Sequence, residues 1–177
     1  AELTPADLYG QAFWRLLSRC ALIGCAVNIG FFFVFLSYGP MILAWMNALG
    51  VGAFAGAYLA IKNRYNRVGL CLIWIDVLVH SALGVVMTGW DSGFQYYLLI
   101  FIPVICLTSP RGWVLPGLCL LWAYYIGLAM VMWVVSPVET FPATVLNLVL
   151  LFNMTAFFAI FSYLSFFYLK VVMNVQR

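Results

Sequence analysis

Asp76 and His80 are the two residues whose types and spacing could do chemistry inside an apolar segment of this chain. They lie four positions apart, so a helix would place both side chains on one face. A charged carboxylate at the centre of a bilayer costs at least about 2.5–3.5 kcal/mol on insertion scales. Asp76 must therefore face other protein groups and find a hydrogen-bond donor, and His80 is the nearest one available. The pair predicts the polar floor of a pocket for a small ligand or an ion.

A second interpretation stays open, in which Asp76 and His80 satisfy each other and only fix helix rotation or protomer pairing. Amides also occur within apolar segments of the chain, at Asn28, Asn47, Asn147 and Asn153. Each of these is typical of a hydrogen bond between membrane helices. A cluster of amides around the ionisable pair would make them part of the site. Asn28 and Asn153 are therefore counted among the candidate ligand-binding residues.

Several catalytic and metal chemistries do not fit this chain. His80 is the only histidine, which excludes a haem held by two histidines of one chain. A catalytic zinc of the usual kind takes three protein ligands, whereas Asp76 and His80 supply two. Ser81 neighbours His80, but adjacent helical residues point about 100° apart and cannot act as nucleophile and base. The five cysteines form no CxxC pair and are predicted to be reduced packing residues. We expect no cofactor, no metal and no enzyme activity within this chain.

The elements that position these residues must be membrane helices. The 177 residues are 67% hydrophobic and 7% charged, whereas soluble proteins are about 45–50% apolar and about 25% charged. A membrane-spanning helix takes about 20 residues, so the length fits six. Helix-breaking and charged residues delimit the predicted spans at about 16–36, 41–61, 68–88, 94–107, 113–135 and 143–169. The fold class predicted is all-α, a polytopic bundle of six transmembrane helices.

The charged residues orient this bundle. With six spans, every basic residue falls on the same side of the membrane: Arg15, Arg19, Lys62, Arg64, Arg67, Arg111, Lys170 and Arg177. The opposite side carries Asp91 and Glu139. Basic loops are retained in the cytoplasm, so both termini are predicted to be cytoplasmic. The predicted organisation is an interfacial helix (1–15), a six-helix sensor domain (16–169) and the start of a cytoplasmic helix (170–177). The basic residues are scattered singly, so no nucleic-acid partner is expected.

Three irregularities mark the spans. The second span carries small residues at intervals of four, which favours tight helix packing within the chain or across a dimer; they are Ala48, Gly52, Gly56 and Ala60. Pro103 interrupts the short fourth span and predicts a kink, either beside a pocket or as an ordinary bend. The aromatic loop before that span, at 89–97, is either an interfacial belt or a lid over the pocket.

The segment from His80 into the fourth span carries a distinctive pattern. Gly89-Trp90 follows His80 after eight residues, and Gly93-Phe94-Gln95-Tyr96-Tyr97-Leu98 and Pro103 come next. Over about residues 76–111 this pattern resembles the six-helix membrane-associated sensor domains (MASE type) of bacterial signalling proteins. Those domains precede nucleotide cyclases, either class III adenylyl cyclases or diguanylate cyclases. The resemblance implies that the shared functional positions are His80, Trp90, Phe94 and Gln95.

The resemblance also implies that the domain passes a stimulus from the membrane to a cytoplasmic cyclase domain. This chain carries no cyclase domain, so we expect such a domain after Arg177. No helix breaker occurs between Pro142 and Arg177. One helix of that length is roughly 50 Å long, well beyond the roughly 30 Å of hydrocarbon. It is either a rod that carries a signal out of the bilayer or an overlong helix that frays at Lys170.

Together these features predict a multi-pass sensor or receptor of the bacterial inner membrane, working as a homodimer. It would bind a small, partly apolar ligand and regulate a cytoplasmic nucleotide cyclase through its last helix. One alternative is the substrate-binding subunit of a vitamin-type membrane transporter, which would need an energising partner. Another is a structural assembly subunit, in which Asp76 and His80 only fix pairing.

Overall fold

The computed structural model describes residues 5–38 and 41–175, with side chains described for 10–38 and 41–170. Helices make up 91% of the described residues, and this part of the chain contains no strand. The six α-helices are α1 (Pro5–Tyr38), α2 (Met41–Lys62), α3 (Asn66–Thr88), α4 (Phe101–Thr108), α5 (Arg111–Val134) and α6 (Ala143–Val175). Two 3-10 helices, Trp90–Ser92 and Phe94–Ile100, connect α3 to α4. The predicted all-α class is confirmed.

Five of these helices are long and apolar enough to cross a membrane. The qualifying segments are Gly10–Tyr38, Met41–Lys62, Asn66–Thr88, Arg111–Val134 and Ala143–Lys170. Large apolar side chains cover their outer surfaces, including Leu49, Trp133 and Val134, each at least 75% exposed. Soluble monomers rarely expose such large contiguous apolar patches. These helices therefore indicate a multi-pass membrane protein.

The predicted fourth span differs from the others. Its segment, Phe94–Thr108, is a shorter apolar helix, with 3-10 geometry up to Ile100 and α geometry from Phe101. Pro103 lies in the first turn of α4, where an N–H group has no partner within an α-helix. The proline therefore follows a change of helix type from 3-10 to α, and the predicted kink at Pro103 stays a prediction.

At each end of the chain, the structure has one continuous helix where the predicted domain boundaries divide the sequence into two segments. The predicted interfacial helix and first span form one continuous helix, α1, from Pro5 to Tyr38. The prediction of one unbroken last helix is confirmed for Ala143–Val175. Its final two residues, 176–177, lie outside the described residues, as do residues 1–4 of the predicted N-terminal segment.

The turn between α2 and α3 is a Schellman motif. The Tyr65 backbone N–H donates to the Ala60 carbonyl at 2.8 Å, and the Arg64 N–H donates to the Ile61 carbonyl at 3.0 Å. Arg64 adopts the left-handed conformation at φ +66°, a position that glycine usually occupies. This motif satisfies the last carbonyls of α2 and leads the chain directly into α3 at Asn66.

The described residues fall into two compact units, with the division after Asp76 within α3. In the first unit α1 packs along α2, and the Phe54 ring lies over Gly24 where a side chain would collide with it. In the second unit α6 packs against both 3-10 helices and α4. There the Val138 and Glu139 N–H groups donate to the Val86 and Met87 carbonyls near the end of α3.

Candidate functional site

The 3-10 turn Trp90–Ser92 is shaped by a glycine on each side. Gly89 and Gly93 have φ values of +95° and +83°, which L side chains rarely adopt. The fully buried Ser92 closes the turn by donating its hydroxyl to the Gly89 carbonyl at 2.6 Å. A Cβ atom on Gly93 would lie 2.9 Å from Leu150 Cδ1 on α6. Glycine at position 93 therefore lets the turn lie directly against α6.

Asn153 fastens α6 to this turn. Its side chain is fully buried, and its Nδ2 atom donates to the Ser92 carbonyl at 2.8 Å. The Oδ1 atom of Asn153 has no hydrogen-bond partner. The donor half of the amide thus holds the turn in place, and the acceptor half is left for another group.

Phe94 connects the turn to the second half of α3. Its side chain is fully buried, and its ring lies against Gly84, where a Cβ atom would come within 2.5 Å of the ring. The ring centroids of Phe94 and His80 lie 5.5 Å apart. His80 is buried and its Nδ1 atom has no hydrogen-bond partner. Phe94 therefore packs beside a histidine with an unused polar atom.

Gln95 and Trp90 extend the same cluster. Gln95 is 1% exposed, and its Nε2 atom donates to the Trp90 carbonyl at 2.9 Å, whereas its Oε1 atom has no partner. The Trp90 indole meets the Tyr125 ring edge-on at 5.4 Å between centroids. Tyr124, the residue before it, donates its hydroxyl to the Leu78 carbonyl at 2.8 Å. We call His80, Trp90, Ser92, Phe94, Gln95 and Asn153 the loop cluster.

Asp76 and Asn28 lie together in the first unit, at Gly50. A Cβ atom on Gly50 would collide with Asn28 Oδ1 and would lie 3.1 Å from Asp76 Oδ1. Asn28 is 5% exposed; its Nδ2 atom donates to the Gly24 carbonyl at 2.9 Å, and its Oδ1 atom has no partner. Two acceptor oxygens therefore meet over a residue without a side chain. We call Asn28, Gly50 and Asp76 the carboxylate cluster.

The predicted site residues thus belong to two clusters. His80, Trp90, Phe94, Gln95 and Asn153 lie in the second unit, and Asp76 and Asn28 lie in the first. Asp76 and His80 both lie on α3, as predicted. The hypothesis that His80 supplies the donor for the Asp76 carboxylate stays a prediction.

Sequence reasoning missed the glycines that make these clusters possible. Packing of the predicted small-residue stripe of α2 across a dimer stays a prediction. Within the chain, a Cβ atom on Gly52 would have open space and one on Gly56 only ordinary contact with Leu72. The close approach occurs at Gly50 instead. The signal available was its position three residues after the buried Asn47, which puts both on one face of α2.

Buried side-chain atoms without a hydrogen-bond partner occur both inside and outside the clusters, and those inside them indicate what each cluster can bind. Within the described residues they are Asn28 Oδ1, Asn47 Oδ1, His80 Nδ1, Ser81 Oγ, Gln95 Oε1, Tyr97 Oη and Asn153 Oδ1. All of these atoms can accept a hydrogen bond, and four are amide oxygens that can do nothing else. A ligand that brings hydrogen-bond donors suits them. Among the described residues no group of three or more His, Cys, Asp or Glu side chains could hold a metal ion.

Comparison with known proteins finds no matching family, no matching curated protein and no matching solved structure. The functional interpretation of the chain therefore rests on its own residues and geometry.

Proposed function

We propose that this chain is a membrane sensor or receptor module that regulates a cytoplasmic nucleotide cyclase through α6. One observation carries the proposal: the fully buried Asn153 on α6 donates to the Ser92 carbonyl of the aromatic turn. A ligand that displaces this turn acts directly on a 33-residue helix. At 1.5 Å per residue α6 is about 50 Å long, so it extends beyond a bilayer's hydrocarbon of about 30 Å.

The ligand we propose is small and partly apolar, and it carries hydrogen-bond donors. Aromatic side chains of the loop cluster would hold its apolar part, and the unpartnered Gln95 Oε1 and Asn153 Oδ1 atoms would accept its polar hydrogens. Ligand sites of this kind are mostly apolar with a few well-placed polar groups. Of the residues in the loop cluster, the resemblance to MASE-type sensors implies a role for His80, Trp90, Phe94 and Gln95. We propose further that the module is a homodimer in the bacterial inner membrane.

The six-span topology belongs to this proposal. The Phe94–Thr108 segment has only 7 residues of 3-10 helix and 8 of α-helix. A 3-10 helix rises about 2.0 Å per residue, so this segment reaches about 26 Å where an α-helix of equal length would reach about 22 Å. The 3-10 geometry therefore brings a short segment close to the length of a span. The topology we propose has six spans and places both termini in the cytoplasm.

Cysteine labelling tests this topology. Single cysteines at Asp91 and Arg111, in a chain whose native cysteines are serine, are labelled with a membrane-impermeant maleimide in intact cells. We expect labelling at 91 and protection at 111. Equal labelling at both positions would mean that the segment between them does not cross the membrane.

A reporter fusion tests the sensor function. The whole chain is joined after Arg177 to a cyclase catalytic domain that requires dimerisation, and cyclic nucleotide formation is measured in membranes. We expect Asn153→Leu to change the output several-fold and Asn147→Leu, at an exposed position of α6, to leave it unchanged. Equal outputs from both variants and the parent, at equal expression, would contradict coupling through Asn153. Stable co-purification with an ATPase would favour the transporter alternative.

A further inference from the structure

The first unit carries an open groove between the beginning of α1 and the turn from α2 to α3. Its volume is about 440 Å³. The residues that line it, which we call the basic groove, are Trp14, Arg64, Tyr65, Asn66, Arg67 and Val68. None of them is involved in the clusters described above, and none is acidic.

Arg64 and Arg67 give this groove its charge. Both side chains are exposed, and neither pairs with a carboxylate within the described residues. A guanidinium group is always charged and presents a planar fork of N–H donors that matches phosphate oxygens. Two such groups at one groove that has no acidic residue in its described lining are complementary to a phosphate anion.

The groove lies where membrane meets water. The apolar segment of α2 ends at Lys62 and that of α3 begins at Asn66, so the turn between them emerges from the bilayer. Trp14 and Tyr65 line the groove at this level, and these two residue types are the ones enriched at membrane surfaces. An anion held here would sit at the depth of the lipid headgroups.

The turn that contains Arg64 does not require an arginine side chain in order to form. The left-handed conformation of Arg64 (φ +66°) is one that glycine adopts without the steric cost that other residues incur there, roughly 1–2 kcal/mol. The Schellman motif needs no side chain at this position. The arginine at position 64 is therefore present despite the conformation rather than because of it.

We propose that the basic groove binds the phosphodiester headgroup of an anionic membrane lipid. Arg64 and Arg67 contact the phosphate, and Trp14 packs at the boundary between the headgroup and the acyl chains. A free phosphate offers the same oxygens, but the groove's aromatic wall and its depth fit a lipid. This site is independent of the proposed sensor function, since neither cluster contributes a residue to it.

Lipid titration of the purified full chain tests the site. Phosphatidylglycerol is titrated into the protein in phosphatidylcholine nanodiscs, and retained lipid is measured by native mass spectrometry together with the unfolding midpoint. We expect phosphatidylglycerol to bind and to raise the midpoint, since a ligand of the folded state stabilises it. With about 1 kcal/mol per basic residue near the surface, the R64Q/R67Q variant should bind roughly 10- to 30-fold more weakly.

Matched variants decide between a site and general surface charge. R111Q/K170Q removes the same two charges elsewhere and should keep the affinity of the parent; an equal loss in both double variants would overturn the proposal. R64G should unfold at the same or a higher temperature yet bind lipid more weakly, which separates binding from folding. Full binding by R64G and by R64Q/R67Q would also overturn it. Glycerol phosphate at equal concentration should give no shift, and the same shift would assign the groove to free phosphate.

Discussion

Asn28 in the first unit and Asn153 in the second are both buried amides with an unpartnered oxygen, but they use their donors differently. Asn28 donates to the Gly24 carbonyl of its own helix, and Asn47 does the same with Leu43. Asn153 instead donates across to Ser92, 61 residues earlier in the chain. The first arrangement satisfies the amide locally and leaves the helices to be positioned by other contacts. The second joins two separate elements.

The two units therefore hold their polar groups in different ways, the first by close helix packing and the second by hydrogen bonds between separate elements. In the first unit the polar oxygens meet because Gly50 allows close approach of neighbouring helices. In the second unit the turn before the Phe94–Ile100 helix is held by specific hydrogen bonds and by Phe94. Substitutions should therefore act through crowding in the first unit and through lost contacts in the second.

The largest effect is expected for Phe94→Ala in the second unit. Removing a fully buried aromatic ring typically costs about 3–5 kcal/mol, and here the cavity would open over Gly84 and beside His80. Unfolding of detergent-solubilised protein by denaturant measures the change. Phe158→Ala, at a side chain that is 71% exposed on α6, is the control and should change little. Similar losses at both positions would mean that Phe94 is not an anchor of the turn.

Gly50→Ala tests crowding in the first unit. The added methyl group would collide with Asn28 Oδ1, and overpacking of this kind costs about 1–3 kcal/mol. Gly52→Ala lies on the same helix in open space and should be neutral or slightly stabilising. The two unfolding midpoints give the comparison. A neutral Gly50→Ala would show that the helices approach less closely than the carboxylate cluster requires.

Asn153→Ala tests fastening in the second unit. It leaves the buried Ser92 carbonyl without its donor, which costs about 1–3 kcal/mol. Hydrogen exchange at the amides of residues 90–95 should rise, because the turn loses its tie to α6. Asn147→Ala, on the same helix but exposed, serves as the matched control. If hydrogen exchange at these amides were unchanged in the Asn153 variant, the hydrogen bond from Asn153 would not be what keeps the turn in place.

The smallest effect is expected for Asp76→Asn. The new amide can donate to the unpartnered Asn28 Oδ1, where the carboxylate offers only acceptors, so stability should stay equal or rise by up to about 1 kcal/mol. Asp91→Asn, at an exposed position, should leave stability unchanged. A loss of more than 1 kcal/mol on Asp76→Asn would indicate that the carboxylate itself has a partner that an amide cannot replace.

The sequence predicted the helices where apolar runs end at polar or helix-breaking residues. Lys62 and Asn66 bracket the turn after α2, and Pro142 precedes α6, because such residues mark chain reversal whatever the tertiary structure. The 3-10 geometry of Phe94–Ile100 was not predictable in this way. An apolar run has similar hydrophobicity in either helix type. The hydrogen bond from Asn153 to the Ser92 carbonyl depends on a residue distant in sequence, and the packing of Phe94 on Gly84 depends on another helix.

The sequence identified which residues could form the candidate site, but not how those residues are arranged in space. Asp76 and Asn28 stand out because lipid disfavours them, yet their meeting at Gly50 depends on which face of α2 turns inward. Asn153 was one of four asparagines within apolar segments, and the sequence alone does not distinguish them. Asn153 differs from the exposed Asn147 by its hydrogen bond to the turn, and this difference is visible only when it is known which face of α6 packs against the turn.

The position of Asn153 along α6 also gives the helix the geometry of a lever. Asn153 lies ten residues from Ala143 and 22 from Val175, which corresponds to arms of about 15 Å and 33 Å. A tilt of about 5° with its pivot at Asn153 would therefore displace the far end by about 3 Å and the near end by half as much. A small shift applied to α6 at Ala143 would thus be about doubled at Val175, while the contact between Asn153 and Ser92 stays in place.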